Sequence, residues 1–147
     1  MKTVILILAT ILGSYCSAFS KACDNSTLTI RNTSTQSVTI DHVNNGMLLA
    51  TRTRGTAINL KAKTKIAPGK SHTVTFQNSA LSGYGNWGSF DLIQSDGNLA
   101  ARVNYDFHVY TLFDKSCKSA VIIDAGQKPV HGKSTDGSPA KIDVQIS

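Results

Sequence analysis

The feature that most constrains this chain is a recurring alternation of apolar and polar residues with a period of two. Aliphatic or aromatic residues alternate with Thr, Asp, Lys or Arg in five segments, at residues 27–31, 38–42, 73–76, 99–113 and 141–146. This period places every second side chain on the same side of an extended strand, which is typical of half-buried antiparallel strands. No stretch shows the 3.6-residue period of an amphipathic helix. The pattern predicts an all-β protein.

Composition and turn residues support the same fold class. All nine acidic residues are aspartates, and the absence of glutamate removes a good helix former. Turn dipeptides separate the β-patterned runs at Asn45-Gly46, Pro68-Gly69 and Asp96-Gly97. Short strands with turns at this spacing predict a single-domain antiparallel β-sandwich of about eight or nine strands.

Two segments carry more specific expectations. The alternation over Leu99–Phe113 is longer than a usual strand, so a bend or bulge is expected near Asn104–His108. The polar, turn-rich segment Gln127–Pro139 is expected to form a long surface loop before the last strand.

The N-terminus has the pattern of a secretory signal peptide. Lys2 precedes an apolar run, Val4–Leu12, and small residues follow at Ser17, Ala18 and Ser20. The run is too short for a membrane anchor. We therefore expect residues 1–20 to be a signal peptide, residues 21–147 to form the β-sandwich domain, and the product to be secreted.

Cysteine usage fits an exported protein. Cys16 lies within the expected signal peptide, which leaves Cys23 and Cys117. Because an exported chain meets an oxidising compartment, we expect these two to form a disulfide.

A cationic segment lies in the middle of the chain, where no acidic residue occurs between Asp41 and Asp91. Alternate residues of a strand point to the same side, so its cations would be presented together. Such a surface suits the phosphate or sulfate groups of a lipid or an anionic glycan, and nucleic acid is not the expected partner. The alternative is a solvated outer surface whose lysines protect an edge strand. The candidate cations are Arg52, Arg54, Lys61, Lys63 and Lys65.

A glycine–aromatic segment, Gly83–Gly88, follows the cationic segment. It contains Tyr84 and Trp87, the only tryptophan. Glycines permit tight reversals, and Tyr and Trp favour the water–lipid interface, so a loop presenting both rings is a candidate membrane contact. A sugar-stacking platform is one alternative, and a Trp87 folded into the core is another.

Catalytic and metal-binding patterns are sparse. The four histidines are scattered, and the chain has no zinc-protease helix motif, serine nucleophile elbow or phosphate-binding glycine loop. Asp106 and His108 share one side of a strand and could orient an imidazole, although such pairs are commonly structural. His42 and His72 fall on apolar sides and are expected to be core histidines. We expect no catalytic residue, cofactor or metal, and hence no enzyme.

The order of several short motifs resembles the aegerolysins. An opening strand ends in Ile30-Arg31-Asn32, and Gly46-x-Leu48 and Lys65-Ile66-Ala67-Pro68 follow it. Then come Gly85-Asn86-Trp87-Gly88-Ser89-Phe90-Asp91-Leu92 and Tyr105-Asp106. The resemblance covers about Leu28–Phe107. It implies a small β-sandwich that binds particular membrane lipids and, with partner proteins, forms pores.

These observations lead to one expected function and one alternative. We expect a secreted β-sandwich that binds a membrane lipid surface or an anionic glycan, as a cytolysin-like or host-directed virulence factor. The alternative is a secreted protein-binding module, an inhibitor or effector without membrane activity.

Overall fold

The computed structural model describes residues 22–45, 56–77, 85–110 and 114–147, so the expected signal peptide lies outside the described residues. The described residues form ten strands and no helix. In chain order, the strands are β1 (Ser26–Asn32), β2 (Val38–Asn45), β3 (Thr56–Ile58), β4 (Thr64–Ile66), β5 (Ser71–Gln77), β6 (Gly85–Gln94), β7 (Leu99–His108), β8 (Lys118–Ala125), β9 (Val130–Thr135) and β10 (Lys141–Ile146). Within the described ranges, no helix is long and apolar enough to cross a bilayer.

The strands form two five-stranded sheets, which confirms the predicted β-sandwich. Sheet A has the order β3-β5-β1-β10-β9, and sheet B has the order β4-β2-β6-β7-β8. All pairings are antiparallel except that of β1 with β10, which is parallel. Because β10 is the last strand and β1 the first, this pairing joins the two ends of the domain inside sheet A.

The core lies between the sheets and follows the period-two pattern. In β1, Leu28 and Ile30 are fully buried, and in β10 the same holds for the alternating residues Ile142, Val144 and Ile146. Three phenylalanines are among the largest buried side chains, and the ring of Phe76 in sheet A lies 4.9 Å from that of Phe107 in sheet B. The alternation therefore marks the inner side of each sheet.

The longest predicted alternation is confirmed as strand β7, but the predicted bulge is not. The register of β7 with β6 is regular from His108 to Ala101, and the irregularity lies between Leu92 and Ile93 of β6. The bend near Asn104–His108 was expected because 15 residues exceed a usual strand. It is unnecessary because β7 ends at His108 after 10 residues.

The segment Gln127–Pro139 is not one long loop, because strand β9 occupies its centre and pairs with β10. Most side chains of β9 are exposed. A strand without a buried side lacks the apolar alternation that reveals a half-buried strand. The short strands β3 and β4, of three residues each, are also not revealed by periodicity.

The predicted turns and the predicted disulfide are present where the structure describes them. Gly69 and Gly97 adopt positive φ angles of 70° and 86°, as tight turns require; Gly46 lies outside the described residues. Cys23 and Cys117 form a disulfide with a sequence separation of 94, and both residues are buried. The bond attaches the N-terminal turn to the beginning of β8.

Candidate binding surface

The outer side of sheet B carries most of the described residues that the sequence marked as candidates. Phe90 and Leu92 are fully buried between the sheets, so the alternate residues of β6 face outward. The strand register then places three rows of side chains across this surface. They are Trp87–Asp106–Ala120, Asn44–Ser89–Asn104–Ile122 and Asp41–Asp91–Arg102–Asp124.

Trp87 lies in strand β6, opposite Asp106 of β7, and not in a loop. It is partly exposed and does not belong to the buried core. The expected glycine–aromatic loop is therefore wrong for Gly85–Gly88, which forms the first part of β6. Tyr84, directly before this strand, lies outside the described residues.

The glycines of this segment allow close packing within the sheet. A Cβ atom at Gly88 would lie 2.4 Å from the carbonyl oxygen of Asn44 and 2.7 Å from the hydroxyl oxygen of Tyr105. A Cβ atom at Gly85 would lie 1.7 Å from the carbonyl oxygen of Phe107. All three contacts are shorter than van der Waals distances, so only glycine fits at the two positions. The glycine signal that predicted a loop reflects instead the close approach of neighbouring strands.

A buried carboxylate lies at the centre of the outer surface. Asp91 is 4% exposed, and Arg102 donates two hydrogen bonds to its oxygens, from Nε at 2.7 Å and from Nη2 at 3.0 Å. The ring Nδ1 of His42 lies 2.9 Å from Oδ2 of the same carboxylate. Chiefly because of the hydrogen bonds from Arg102, and against the effect of burial, the pKa of Asp91 is held below its ordinary value. The carboxylate of Asp91 therefore has a structural role, because it holds the side chains of Arg102 and His42 in place.

His42 is not the core histidine that the alternation predicted, because its side chain is 70% exposed. The register of β2 with β6 shifts between Asp41 and Asn44, and His42 has a φ of 45° within this irregularity. A bulge reverses the side to which the following residues point. His72 is half-buried, and its Nε2 lies 2.7 Å from the carbonyl oxygen of Asn59.

Lys63 is attached to the same bulge. Its Nζ donates a hydrogen bond to Oδ2 of Asp41, its backbone N–H donates to the carbonyl of Ile40, and its φ is 66°. The hydrogen bond from Lys63 is the largest cause that lowers the pKa of Asp41. Among the candidate lysines that the structure describes, Lys63 therefore has a structural role, because it is bonded to Asp41 and Ile40 of β2.

The other two described candidate lysines, Lys61 and Lys65, have no ion-pair partner among the residues that the structure describes. Lys65 lies in β4 opposite Thr39, and Lys61 lies in the preceding turn. Both are exposed. Because β4 begins at Thr64, the three lysines do not share one continuous strand. Arg52 and Arg54 fall in the segment between β2 and β3, outside the described residues.

The strand register sets the separation between the lysines and the tryptophan. Lys65 pairs with Thr39, Thr39 pairs with Ile93, and Trp87 lies six positions before Ile93 on β6. With strands about 4.8 Å apart and about 3.3 Å per residue, Lys65 and Trp87 are about 20 Å apart. They lie on one surface, but only a ligand with extended dimensions could contact both.

A second polar pair lies near Trp87. Nδ1 of His108 approaches Oδ2 of Asp106 to 2.8 Å, although without the alignment of a hydrogen bond. The ring of Tyr110 contacts His108 edge-on, with ring centres 4.6 Å apart, and Tyr110 is 71% exposed. This contact places an imidazole beside an exposed aromatic ring on the candidate surface. Among the described residues, no group of three metal-ligating side chains occurs.

Sequence reasoning missed three parts of this surface, namely the Asp91–Arg102 pair, the exposed His42 and the exposed Ile122. The signal for the pair was present, since Asp91 interrupts the apolar run of β6 and Arg102 lies at an outward position of β7. Their pairing required the register between the two strands. For His42, the sequence carried no signal of the bulge.

Comparison with known proteins gives information on the fold. No protein-family model matches the sequence, and no curated protein matches it. The crystal structure of IP-1A from Alcaligenes faecalis is similar, with a TM-score of 0.58, 15% sequence identity, and coverage of 88% of this chain and 94% of that one. The crystal structure of RahU protein in complex with a Tris molecule is also similar, with a TM-score of 0.57 and 10% identity, covering 86% of this chain and 96% of that one.

This likeness establishes the fold. Both solved structures are matched over nearly their whole length, so the sandwich, and not one motif, is shared. At this level of identity, the similarity says nothing about the ligand.

Proposed function

We propose that this protein is a secreted, aegerolysin-like binding protein without catalytic activity, and that its ligand is an extended anionic surface, either a membrane or a glycan. The observation that carries the proposal is the placement of exposed, unpaired Lys65 and partly exposed Trp87 on one side of sheet B, about 20 Å apart by the strand spacing. A small ligand could contact Lys65 or Trp87, but not both residues at once.

The two parts of the surface would contribute differently. Lysines attract an anionic surface at long range, at about 1 kcal/mol for each lysine near an anionic bilayer. This attraction weakens as salt shortens the Debye length. Trp87 would add a short-range contact through burial of its ring at the interface, which salt affects little. Arg102 and Lys63 add less charge because Asp91 and Asp41 already neutralise them.

Binding to vesicles and to heparin over a salt series tests the proposal. The variant Lys61→Gln/Lys65→Gln should weaken binding mainly at low salt, whereas Trp87→Ala should weaken it at every salt concentration. Lys133→Gln/Lys141→Gln is the matched control, because it removes the same charge from exposed positions of sheet A. Equal losses in the control and in the sheet B variant would contradict the proposal, because net charge alone would then explain binding.

The vesicles should be made with and without phosphatidylserine, so that lipid and glycan ligands can be distinguished. Thermal denaturation of Trp87→Ala should show a melting temperature close to that of the original protein. A sharp fall, with binding per folded molecule unchanged, would assign Trp87 to packing and remove half of the proposed surface.

The second candidate function is a protein-binding module. Two exposed large side chains favour this candidate, because aliphatic and aromatic residues on the surface can pack against a protein partner. They are Ile122, which is 64% exposed, and Tyr110, which is 71% exposed. Absence of binding to anionic vesicles and to heparin at low salt would favour this candidate over the first.

A further inference from the structure

The lysine and arginine side chains in the strands around Trp87 are all paired. Strands β2, β6, β7 and β8 contain two such residues, Arg102 and Lys118. Arg102 is bonded to Asp91, and Nζ of Lys118 lies 3.0 Å from a carboxylate oxygen of Asp136. A phosphate or sulfate group placed on Trp87 would therefore meet no unpaired lysine or arginine of these strands. The part of a ligand that contacts Trp87 is thus expected to be uncharged.

Trp87 belongs to a block of four outward side chains on β6 and β7. Asp106 lies directly opposite Trp87, and Asn104 lies directly opposite Ser89, the next outward residue of β6. Opposite residues have Cβ atoms about 4.5–5.5 Å apart, and successive outward residues of one strand are about 6.6 Å apart. All four residues are partly exposed. The block is therefore similar in size to one pyranose ring.

Each side chain of this block carries a group suited to one part of a sugar. The face of the indole ring of Trp87 can pack against the C–H groups of a pyranose. The carboxylate of Asp106 accepts hydrogen bonds from hydroxyl groups, while Ser89 and Asn104 can donate or accept. Nδ2 of Asn104 donates to Oδ2 of Asp124, at 2.9 Å, which orients the amide before a ligand binds. An aromatic surface with a few placed polar groups is typical of a small-molecule site.

The positions that border the block carry small residues on two sides. Gly85 precedes Trp87 at the next outward position of β6, and Ala120 lies opposite Asp106 on the β8 side. Neither residue has a long side chain that could cover the indole ring or the carboxylate. His108, opposite Gly85, lies with Nδ1 2.8 Å from Oδ2 of Asp106. Neighbouring sugars of a glycan can therefore continue past the block over Gly85 or Ala120.

We propose that these four side chains form a subsite for one neutral hexose residue of a glycan. The hexose ring packs on the indole of Trp87. Its hydroxyl groups donate to the carboxylate of Asp106 and exchange hydrogen bonds with Ser89 and Asn104.

The subsite rests on the proposed function, whose ligand it narrows to a glycan. A bilayer contact would place the carboxylate of Asp106 against anionic or apolar groups, and a charge buried without partners is costly. Sugar hydroxyl groups instead provide that carboxylate with hydrogen-bond donors. Lys65, about 20 Å away by the strand spacing, contacts an anionic group farther along the same glycan.

Trp87 is the only tryptophan, so its fluorescence reports directly on this subsite. The protein should be titrated with uncharged tetrasaccharides of glucose, mannose and galactose, and we expect a saturable change in fluorescence with at least one of them. Asp106→Asn keeps Trp87 but replaces the charged acceptor by a neutral amide, so it should weaken this binding by about tenfold or more. Asp143→Asn makes the same change at an exposed position of sheet A and should leave binding unchanged.

Further variants separate the subsite from folding and from the lysines. Ser89→Ala removes one neutral hydrogen-bonding group and should weaken tetrasaccharide binding by about threefold to tenfold. Thermal denaturation checks that Asp106→Asn and Ser89→Ala are folded. Lys61→Gln/Lys65→Gln should bind the tetrasaccharide like the original protein, although its binding to heparin at low salt is weakened.

The possible outcomes distinguish failure of the subsite from failure of the proposed function. No saturable response to any of the three tetrasaccharides at millimolar concentration would overturn the subsite, and binding to heparin or vesicles would still support the proposed function. Folded Asp106→Asn and Ser89→Ala variants with the affinity of the original protein would also overturn it. A fluorescence response to phosphatidylserine vesicles, without one to the sugars, would assign Trp87 to a bilayer contact. Sugar binding without heparin or vesicle binding would support the subsite and contradict the anionic part of the proposed function.

Discussion

At the scale of single residues, several hydrogen bonds hold the side chain of Asn32, which is 1% exposed at the end of β1. Its Nδ2 donates to the carbonyls of Gln36, at 2.8 Å, and Ile66, at 3.0 Å. Its Oδ1 accepts hydrogen bonds from the backbone N–H and the hydroxyl of Ser34. One amide therefore connects the end of a sheet A strand to β4 of sheet B and fixes the intervening turn.

Replacement of this amide should be costly. Asn32→Ala leaves the carbonyl of Ile66 and the groups of Ser34 without their partner in a buried place, so we expect a loss of about 2–4 kcal/mol in the free energy of unfolding. Urea denaturation measures the loss. The control is Thr29→Ala, which removes only an exposed hydrogen bond to Thr73 and should change stability by less than about 0.5 kcal/mol. Equal effects of the two changes would show that Asn32 does not have this role.

Individual positions also show where prediction from sequence stops. Alternation correctly assigned Leu28, Ile30 and Phe107 to the core, because a regular strand transmits its period to every residue. It failed at His42, where a bulge and a positive φ angle turn an apparently inward side chain outward. Such a bulge depends on contacts with Asp91 and Lys63, which come from distant parts of the chain.

At the scale of elements, the pair Asp91–Arg102 fixes the contact between β6 and β7 on the outer side of sheet B. Arg102 holds the pKa of Asp91 below its ordinary value by hydrogen bonding. A lowered pKa in the folded protein stabilises it at neutral pH. This contribution disappears as the pH falls from about 4 through the folded-state pKa, because Asp91 then takes up a proton.

The variant Asp91→Asn should therefore change the acid part of the stability profile. At neutral pH, we expect a loss of about 1–3 kcal/mol, since a hydrogen-bonded charge pair is removed. Below about pH 4, the difference from the original protein should shrink, because the original loses the same interaction on protonation. Denaturation at a series of pH values measures this. A difference in the free energy of unfolding that stays constant down to about pH 2 would show that the charge of Asp91 does not stabilise the fold. The control is Asp143→Asn, at an exposed site 3.9 Å from Arg31.

Whether an element could be predicted depended on how its sides are buried. β7 has a completely buried inner side over Ala101, Val103, Tyr105 and Phe107, so its alternation was evident. β9 is exposed almost throughout and was mistaken for loop. For the candidate binding surface, which stays a prediction, charge and aromatic content can be read from the sequence, whereas the strand register that separates Lys65 from Trp87 cannot.

At the scale of the whole molecule, two features connect the beginning of the chain to its end. The parallel pairing of β1 with β10 places both in the interior of sheet A, and the N–H of Ala140, just before β10, donates to the hydroxyl of buried Ser26. The disulfide adds a covalent connection from Cys23, just before β1, to Cys117, just before β8. The N-terminal turn is thus held to both sheets.

Removal of the disulfide tests how much of the stability depends on this connection. The disulfide closes a loop with a sequence separation of 94 and so restricts the unfolded chain. In the chain-entropy model this restriction stabilises the folded protein by about 4–5 kcal/mol, and removal of a native disulfide from a small secreted domain typically costs about 2–5 kcal/mol. We therefore expect Cys23→Ala/Cys117→Ala to lower the free energy of unfolding by about 2–5 kcal/mol, with a circular dichroism spectrum that remains β-type. Titration of the unfolded, unreduced original protein should find neither of these thiols free. Because β1 keeps both neighbouring strands without the bond, the variant should still fold at low temperature. A double variant as stable as the original would show that the β1 pairings alone secure the N-terminus.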